Sequence, residues 1–349
     1  MKKISELKYT ESIKMLKKLI ETNRALAELK GYSEIVPNKN ILISAIALNE
    51  AKDSSAIENI ITTHDELFEG MTKENKLKGN PKEVLNYKAA LWKGYELIKK
   101  KGFISTNIIV EIQSIIESNH AGIRKQSGTK LINESTGKVV YTPPETEAEI
   151  REYLADLERY ININDDIDSL IKLAIIHYQF EKIHPFYDGN GRTGRIINVL
   201  YLVLEGLIDL PILYLSKFII ENREDYYKLM READETGDLD EWILYILSAV
   251  EKTSVDSLKI LKNINKLVET TTIEINDKLP KVYSKKLVDI LFFEFYTKID
   301  NVASILGVTR KTASNYLNAL VDNKILDVEV RGKDKLFINR KLVDLIKSI

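Results

Sequence analysis

The sequence contains no cysteine, and its 349 residues include only 7 prolines and 15 glycines. Without cysteine there is neither a disulfide framework nor a thiolate that could act as nucleophile or metal ligand. Low proline and glycine contents exclude collagen-like and low-complexity chains. With 44% hydrophobic and 30% charged residues, the composition is typical of a soluble, mostly helical protein that buries a substantial core.

The sequence also lacks an excess of either charge and any long apolar run. Its formal net charge is −1, so there is no chain-wide positive field to attract nucleic acid or a membrane surface. No uncharged apolar stretch approaches the length that spans a bilayer, and the Met-Lys-Lys start lacks the apolar core of a signal peptide. We therefore expect a cytoplasmic protein with no membrane contact.

Chemistry is concentrated in the twelve residues His184 to Arg195, which read His-Pro-Phe-Tyr-Asp-Gly-Asn-Gly-Arg-Thr-Gly-Arg. Glycines allow backbone N–H groups to approach an anion closely, and two arginines add positive charge at the same place. His184 could accept a proton from an incoming hydroxyl, and Asp188 is a hard oxygen ligand suited to Mg²⁺ beside a phosphate. The predicted phosphate-binding residues are Gly189, Asn190, Gly191, Arg192, Gly194 and Arg195.

The sequence on both sides of this stretch supports an anion site. The run that starts at Ile196 is apolar nearly all round, as expected of a buried helix, and its N-terminal N–H groups and dipole would point at a bound phosphate. His177 lies on the preceding predicted helix among apolar neighbours, so we interpret it as a packing residue.

Two other interpretations of the stretch are less satisfactory. The spacing of Gly189, Gly191 and Gly194 fits a dinucleotide-binding fingerprint, but that fingerprint requires an apolar strand leading directly into the first glycine, and Pro185 interrupts the approach. A plain helix–helix loop with an Asn-Gly turn is the simpler alternative. It does not account for so many neighbouring polar positions with complementary roles.

The stretch resembles the Fic motif, HxFx(D/E)GNGRxxR, at every defined position. Its Gly-Asn-Gly-Arg segment is similar to the nucleotidyl-transferring branch rather than to the shortened, lysine-bearing loop of Doc relatives. The resemblance implies transfer of AMP from ATP to a Ser, Thr or Tyr hydroxyl of a target protein. His184 would be the base, Asp188 the Mg²⁺ ligand, and Arg195 the group that holds the γ-phosphate.

A second resemblance concerns Ser54, Glu58 and Asn59. These residues match the inhibitory motif (S/T)xxxE(G/N) that accompanies some Fic domains, and they precede the main motif as in members with an N-terminal inhibitory helix. A spacing of four places Ser54 and Glu58 on one helix face. The alternative is an ordinary capping box formed by Ser55 and Glu58 at the start of a helix.

Residues 129–133 and 138–142 flank Glu-Ser-Thr-Gly and predict a β-hairpin in an otherwise helical chain. The hairpin resembles the Fic flap, whose unpaired edge would bind an extended target through main-chain hydrogen bonds. A solvent-exposed hairpin without a functional role is the alternative. The predicted target-binding residues are Val139, Val140, Tyr141 and Thr142.

The C-terminal segment changes pattern again. A helix, a glycine turn and a helix from Val302 to Leu320 precede a predicted hairpin, and the order resembles a winged helix. Residues 285–349 contain 12 basic and 8 acidic residues, which favours weak DNA binding, although winged helices also bind proteins. The predicted contact residues are Arg310, Lys311, Thr312, Ser314 and Asn315.

Together these features predict a mostly α protein. We expect an N-terminal helical region at 1–100 with the inhibitory helix near 54–59, a Fic-type bundle with its flap at 101–250, a helical connector at 251–284 and a winged helix at 285–349. The expected function is a self-inhibited protein adenylyltransferase that uses ATP and Mg²⁺. Alternatives are a DNA-binding regulator that senses a nucleotide, and an enzyme whose net reaction removes AMP with Glu58 orienting water. The target, the nucleotide base and the oligomeric state, including a homodimer, are left open.

Overall fold

The computed structural model describes residues 1–36, 39–72, 78–132, 139–293, 295–331 and 334–347. Helices dominate, as predicted. After a short 3₁₀ turn they are α1 (Ile13–Ile35), α2 (Lys39–Ile57), α3 (His64–Thr72), α4 (Asn80–Lys101), α5 (Thr106–Glu117), α6 (Glu147–Asn162), α7 (Ser169–Ile183), α8 (Asn190–Leu204), α9 (Leu215–Glu221), α10 (Arg223–Thr236), α11 (Asp240–Lys278), α12 (Lys285–Phe293), α13 (Ile299–Leu306), α14 (Arg310–Asp322) and α15 (Arg340–Lys347). The strands are β1 (Leu131–Ile132), β2 (Val139–Tyr141), β3 (Tyr296–Thr297), β4 (Asp327–Arg331) and β5 (Asp334–Ile338).

The centre of the bundle is formed by α7 and α8. Both are buried on nearly every face, which explains why the run from Ile196 in α8 is apolar nearly all round, while α7 also buries polar side chains such as His177 and Gln179. Helix α6 packs on α7, while α4 and α5 pack on α8. Because α7 ends at Ile183 and α8 begins at Asn190, the loop between them lies where two buried helices meet.

The longest helix, α11, connects the bundle to the C-terminal part. Its first half is anchored by Trp242, whose indole Nε1 donates to the carbonyl of Ala174 at 2.8 Å. Helix α1 packs along it, with Met15 and Leu29 fully buried. The boundary that the sequence suggested between residues 250 and 251 falls inside α11, which passes through it as continuous helix.

Helix α2 is held by buried polar contacts. The Glu50 carboxylate accepts hydrogen bonds from the Tyr87 hydroxyl at 2.9 Å and from the backbone N–H of Ser216 at 2.8 Å. The helix ends at Ile57, and Asn59 then adopts the left-handed conformation with φ 61°, as is common just after a helix C-terminus. Ser55 therefore lies in the last turn of α2, and the capping-box alternative, which needs it at a helix start, is wrong.

The predicted hairpin is present as β1 paired antiparallel with β2, with Leu131 opposite Tyr141 and Ile132 opposite Val139. The register shifts between the two β1 residues. The predicted turn, Glu-Ser-Thr-Gly at 134–137, lies outside the described residues. Nowhere in the described ranges does a helix combine the length and the apolar character that crossing a membrane requires.

In the C-terminal part, α13 and α14 are joined by a turn at Gly307, whose φ is 68°. The hairpin β4–β5 follows, and β3 pairs with the other edge of β5 to complete a three-stranded antiparallel sheet. This part contacts the N-terminal region: the rings of Phe68 and Phe295 lie 4.5 Å apart, and Lys347 Nζ is 2.6 Å from a carboxylate oxygen of Asp65.

Candidate active site

The loop between α7 and α8 is held by its own side chains. Phe186 is completely buried, and the Asn190 amide closes the loop around it. Asn190 Oδ1 accepts from the Phe186 N–H at 2.8 Å, and Asn190 Nδ2 donates to the Phe186 carbonyl at 2.9 Å. The Asn190 side chain thus shapes the loop, and only its backbone N–H remains for an anion.

The N-terminus of α8 has no side-chain cap. Gly189, in the left-handed region with φ 77°, occupies the N-cap position, so the first N–H groups of the helix lack an intrahelical or side-chain acceptor. The Gly189 N–H itself donates to Asp188 Oδ1 at 2.7 Å. A free, positively polarised helix end of this kind suits a phosphate.

Carboxylates lie directly against glycines of the loop. A Cβ at Gly189 would lie 2.6 Å from Glu117 Oε1, and one at Gly191 would collide with Glu58 Oε1. Gly194 instead allows close packing, since its Cβ would lie 2.9 Å from the Phe180 ring. The glycines therefore leave the backbone of the loop uncovered, and Gly191 admits the Glu58 carboxylate.

Arg195 is buried and bound by the end of α2. Its Nε donates to Ser54 Oγ at 2.8 Å, and its Nη2 donates to both the Ser54 carbonyl and Glu58 Oε1, each at 2.8 Å. Burial alone would raise the pKa of Glu58, but the Arg195 charge outweighs it and leaves this pKa below its ordinary value. Ser54, Glu58 and Arg195, which the sequence singled out, are thus in contact, although 137 positions separate Glu58 from Arg195.

Arg192, also buried, is surrounded by carboxylates that sequence reasoning did not single out. Its Nη2 lies 2.7 Å from Glu117 and 3.8 Å from Asp188, and its Nη1 lies 3.4 Å from Glu83. Glu83 and Glu117 belong to α4 and α5, and neither occurs in a recognisable motif. Only the packing of both helices against α8 brings them to the loop.

Glu181 is a further residue that the sequence did not reveal. It lies in the last turn of α7, next to Gly194, and one carboxylate oxygen is buried without a hydrogen-bond partner. Burial raises the pKa of Glu181 to about 7, although the charge of Arg195 acts in the opposite direction. Glu181 is one of several polar residues in α7, and no motif distinguishes it in the sequence.

His184 occupies the C-cap of α7 in a left-handed conformation, with φ 46° and ψ 60°. Its ring is half-buried. Burial lowers the pKa of His184 to about 4, and the nearby positive charge of Arg124 lowers it further, while Glu58 opposes both. The imidazole is therefore neutral at neutral pH, which is the form that a general base requires.

Asp188 is the candidate Mg²⁺ ligand. Its side chain is 78% exposed. Among the described residues there is no cluster of three or more His, Cys, Asp or Glu side chains that would form an all-protein metal site. Mg²⁺ usually keeps several waters and binds one or two carboxylates together with substrate phosphates, so one exposed carboxylate beside a phosphate site fits this ion.

The predicted flap residues lie near the site on β2 and just after it. Val139 is 50% exposed, and Thr142 is exposed, whereas the side chain of Val140 lies outside the described part of the structure. The Tyr141 ring is held by Lys182, whose Nζ lies 2.9 Å from the ring centroid and 2.9 Å from an Asp234 oxygen. Burial lowers the pKa of Lys182 to about 8.

His177 takes no part in the loop. It is fully buried, its Nε2 lies 2.9 Å from the Tyr226 hydroxyl, and its ring stacks on Trp242. This agrees with the packing role predicted for it.

Comparisons with known families cover most of the chain. Residues 16–96 match the Fic/DOC family N-terminal region, residues 103–202 match the Fic/DOC family, and residues 267–342 match the C-terminal domain of protein adenylyltransferase SoFic-like proteins. The three matches do not overlap, and together they include both the loop and residues 54–59.

Individual relatives agree with these matches. A probable protein adenylyltransferase from Aquifex aeolicus is 26% identical over 290 residues, which are 81% of this chain and 82% of the relative. The protein adenylyltransferase fic-1 of Caenorhabditis elegans is 33% identical over 110 residues, but these are only 20% of its length.

Solved structures show the same fold. A Fic family protein from Desulfovibrio desulfuricans superposes with a TM-score of 0.60 over 95% of this chain and 97% of its own, at 19% identity. Residues 134–508 of Fic-1 from C. elegans superpose with a TM-score of 0.54 over 72% of this chain and 74% of that one, at 24% identity.

Proposed function

This chain belongs to the Fic/DOC family, and we propose that it is a protein adenylyltransferase held inactive by its own Glu58. The substrate is ATP, and the acceptor is a Ser, Thr or Tyr hydroxyl of a target protein. One observation carries the proposal: a neutral, half-buried His184 lies at one end of a loop whose other end is an uncapped helix N-terminus with two buried arginines.

In the proposed reaction, the target hydroxyl oxygen attacks the α-phosphorus of ATP while His184 accepts the hydroxyl proton. The bond between the α-phosphorus and the bridging oxygen breaks, and pyrophosphate leaves. Backbone N–H groups of Asn190 and Gly191, with Arg192, offset the charge that develops on the phosphates. Asp188 would hold Mg²⁺, which would supply electrophilic charge to the phosphates.

The flap would hold the target. An edge strand binds an extended segment through main-chain hydrogen bonds and makes few demands on its side chains. Two observations support this role for β2. Val139 is exposed, and β2 pairs with β1 alone in the described sheet, so its other edge has no strand partner there.

Autoinhibition is supported by the contacts of Arg195. Glu58 and Ser54 together occupy the guanidinium donors that a γ-phosphate would use, and Glu58 also lies against Gly191. ATP that enters without displacing Glu58 would have to bind with its phosphates shifted. A displacement of about 1 Å from the in-line geometry can lower the rate roughly a hundredfold.

For the C-terminal part we propose a winged helix with weak affinity for duplex DNA. The order α13, α14, β4, β5 and the exposed Arg310 and Lys311 at the start of α14 support this role. The moderate positive balance of residues 285–349 makes the expected binding weak and dependent on salt.

The experiment that tests the main proposal is intact-mass spectrometry of the purified protein after incubation with Mg²⁺ and each of the four NTPs. The Glu58→Gly variant should gain the mass of one or more AMP groups with ATP. The Glu58→Gly/His184→Ala variant should bind ATP but show no added mass, because it retains the phosphate site and lacks the base. Equal labelling by both variants would refute the assigned chemistry, and no labelling by either, with ATP bound, would favour the nucleotide-sensing alternative.

A further inference from the structure

We propose that Arg124 is a positioning residue that fixes the catalytic base and the base of the flap relative to each other. The inference rests on the proposed transfer reaction and adds a residue to it. Arg124 precedes β1 by seven positions, and its side chain is only 1% exposed, so its charge is held inside the protein rather than in solvent.

The first connection made by Arg124 is to the backbone of the loop. Its Nε donates to the carbonyl of His184 at 2.8 Å, and its own backbone N–H donates to the carbonyl of Pro185 at 3.0 Å. His184 is a non-glycine residue in the left-handed region, a conformation that persists only where the surroundings enforce it. The hydrogen bond from Arg124 fixes the His184 carbonyl, and the His184 N–H donates to the carbonyl of Phe180 at 3.1 Å. Both contacts help to maintain this conformation.

The second connection is to the flap. Arg124 Nη2 donates to the carbonyl of Pro144, which is buried two residues after the exposed Thr142. One planar guanidinium therefore binds the backbone of the base and the backbone at the end of the target-binding strand. Since the fork of the guanidinium is rigid, the two backbone segments keep a fixed separation.

A neighbouring contact reinforces the same geometry. The backbone N–H of Lys125 donates to the Tyr187 hydroxyl at 2.9 Å, which ties the segment after Arg124 to the middle of the loop. No carboxylate hydrogen bond to the Arg124 side chain occurs among the described residues. The Arg124 side chain thus donates to neutral backbone carbonyls, whereas Arg192 and Arg195 are paired with glutamates.

The consequence for the reaction is a constraint on distance. The acceptor hydroxyl is carried by a segment bound to β2, and the proton acceptor is the ring of His184. If the two backbones shift relative to each other, the hydroxyl leaves hydrogen-bond reach of the base, although the phosphate site on α8 is unchanged. Loss of Arg124 should therefore lower the rate of transfer and spare ATP binding.

The test uses full-length protein carrying Glu58→Gly, with self-labelling from ATP labelled at the α-phosphate as the rate and ATP titration as the binding measurement. Arg124→Met should lower the labelling rate about a hundredfold while the Kd for ATP stays within about twofold. Arg124→Lys, which can reach one of the two carbonyls, should recover part of the rate. A role confined to folding predicts no such separation of rate from binding.

The matched control is Lys172→Met. Lys172 is also a buried cation, 4% exposed, whose Nζ donates to a backbone carbonyl, that of Ile163, at 2.7 Å, but it lies at the opposite end of α7. It should lower the melting temperature as Arg124→Met does and leave labelling within about threefold of the parent. Equal loss of labelling in the two variants would overturn the inference.

Two further outcomes are decisive. If Arg124→Met does not fold, the test rests on Arg124→Lys. A labelling rate that falls about fivefold or more with unchanged ATP binding supports the inference. An unchanged labelling rate overturns it. If the Glu58→Gly parent itself does not label, the proposed function fails, and the failure is independent of Arg124.

Discussion

At the scale of single residues, Arg195 is a buried charge that the proposed mechanism uses in two states. A guanidinium this deeply buried must be fully paired, because an unpaired buried charge is strongly destabilising. In the described structure its partners are Ser54 and Glu58, both from the end of α2. In the active state the γ-phosphate of ATP would take the place of the glutamate.

The exchange of partners at Arg195 leads to a double-variant prediction. Glu58→Gly should raise AMP transfer well above the wild-type level, since it leaves Arg195 free for the γ-phosphate. Adding Arg195→Ala should cancel that gain, because the released arginine is the group that orients the phosphate. Labelling with ATP radioactive at the α-phosphate, measured with the melting temperature, checks both steps. A Glu58→Gly variant that melts at a lower temperature than wild type but transfers AMP no faster would refute the inhibitory role.

The buried His177 leads to a prediction about pH. Burial, assisted by the Arg195 charge, lowers the pKa of His177 to about 3, against 6.5 for the unperturbed side chain. Between these values the unfolded chain binds a proton that the folded protein excludes, so folding stability falls as the pH drops below about 6.5. The loss from this residue is up to about 1.4 kcal/mol per pH unit.

The variant His177→Gln isolates this effect. Gln can keep a hydrogen bond to Tyr226 but does not titrate, so its stability relative to wild type should improve as the pH falls from 6.5 to 5. Urea unfolding at several pH values measures the difference. Curves for the two proteins that stay parallel over this range would show that His177 is not neutral in the folded state.

At the scale of secondary structure, the C-terminal end of α2 places Ser54 and Glu58 beside the loop. Buried polar groups contribute to the docking of α2, with Glu50 contacting Tyr87 on α4 and Ser216 on α9. Burial raises the pKa of Glu50, and the hydrogen bonds from Ser216 and Tyr87 oppose this rise. The position of Glu58 therefore depends on contacts made about two helical turns before it.

Weakening this docking should partly release the inhibition. Glu50→Gln places an amide opposite donors that now bind a carboxylate, at a cost of about 1–3 kcal/mol. We expect a lower melting temperature together with a rise in AMP transfer that is smaller than the rise in Glu58→Gly. Glu96→Gln, an exposed position on α4, is the control that should change neither. A destabilised Glu50→Gln with wild-type transfer would separate the docking of α2 from the inhibition.

At the scale of the whole molecule, the C-terminal part is joined to the N-terminal region that contains α2 and the proposed inhibitory residue Glu58. Phe68 on α3 is completely buried against Phe295 and Tyr296, and His64 at the start of α3 contacts Asn49 of α2 through a 2.7 Å hydrogen bond. The 39 residues of α11 provide a second, covalent link. The two parts therefore share an interface instead of being connected only by a flexible linker.

The role of the C-terminal part is tested on the full-length chain. Fluorescence anisotropy should detect weak binding to duplex DNA at low salt, with affinity falling steeply as salt rises. Arg310→Ala/Lys311→Ala should weaken it, because these side chains begin the helix expected to meet the DNA. Lys285→Ala/Lys286→Ala removes the same charge from α12 and should have a smaller effect. Absence of binding at low salt would instead favour a protein-interaction role.

The sequence by itself determined the features that are local. The loop from His184 to Arg195 is contiguous, so its glycines, arginines, histidine and aspartate could be interpreted together. The helix period and the hairpin signals likewise depend on nearby residues, and the mostly helical fold was predicted from them. The resemblance to the Fic family was predicted from the contiguous motif in the loop.

Tertiary structure alone decided which distant side chains complete the site. Glu83, Glu117, Glu181 and Arg124 carry no motif, since a lone glutamate or arginine in a helix or loop is ordinary in sequence. They meet the loop because α4 and α5 pack on α8, and because the segment after α5 passes beside the end of α7. Contact between residues far apart in sequence depends on how buried faces fit together, and no local pattern encodes that fit.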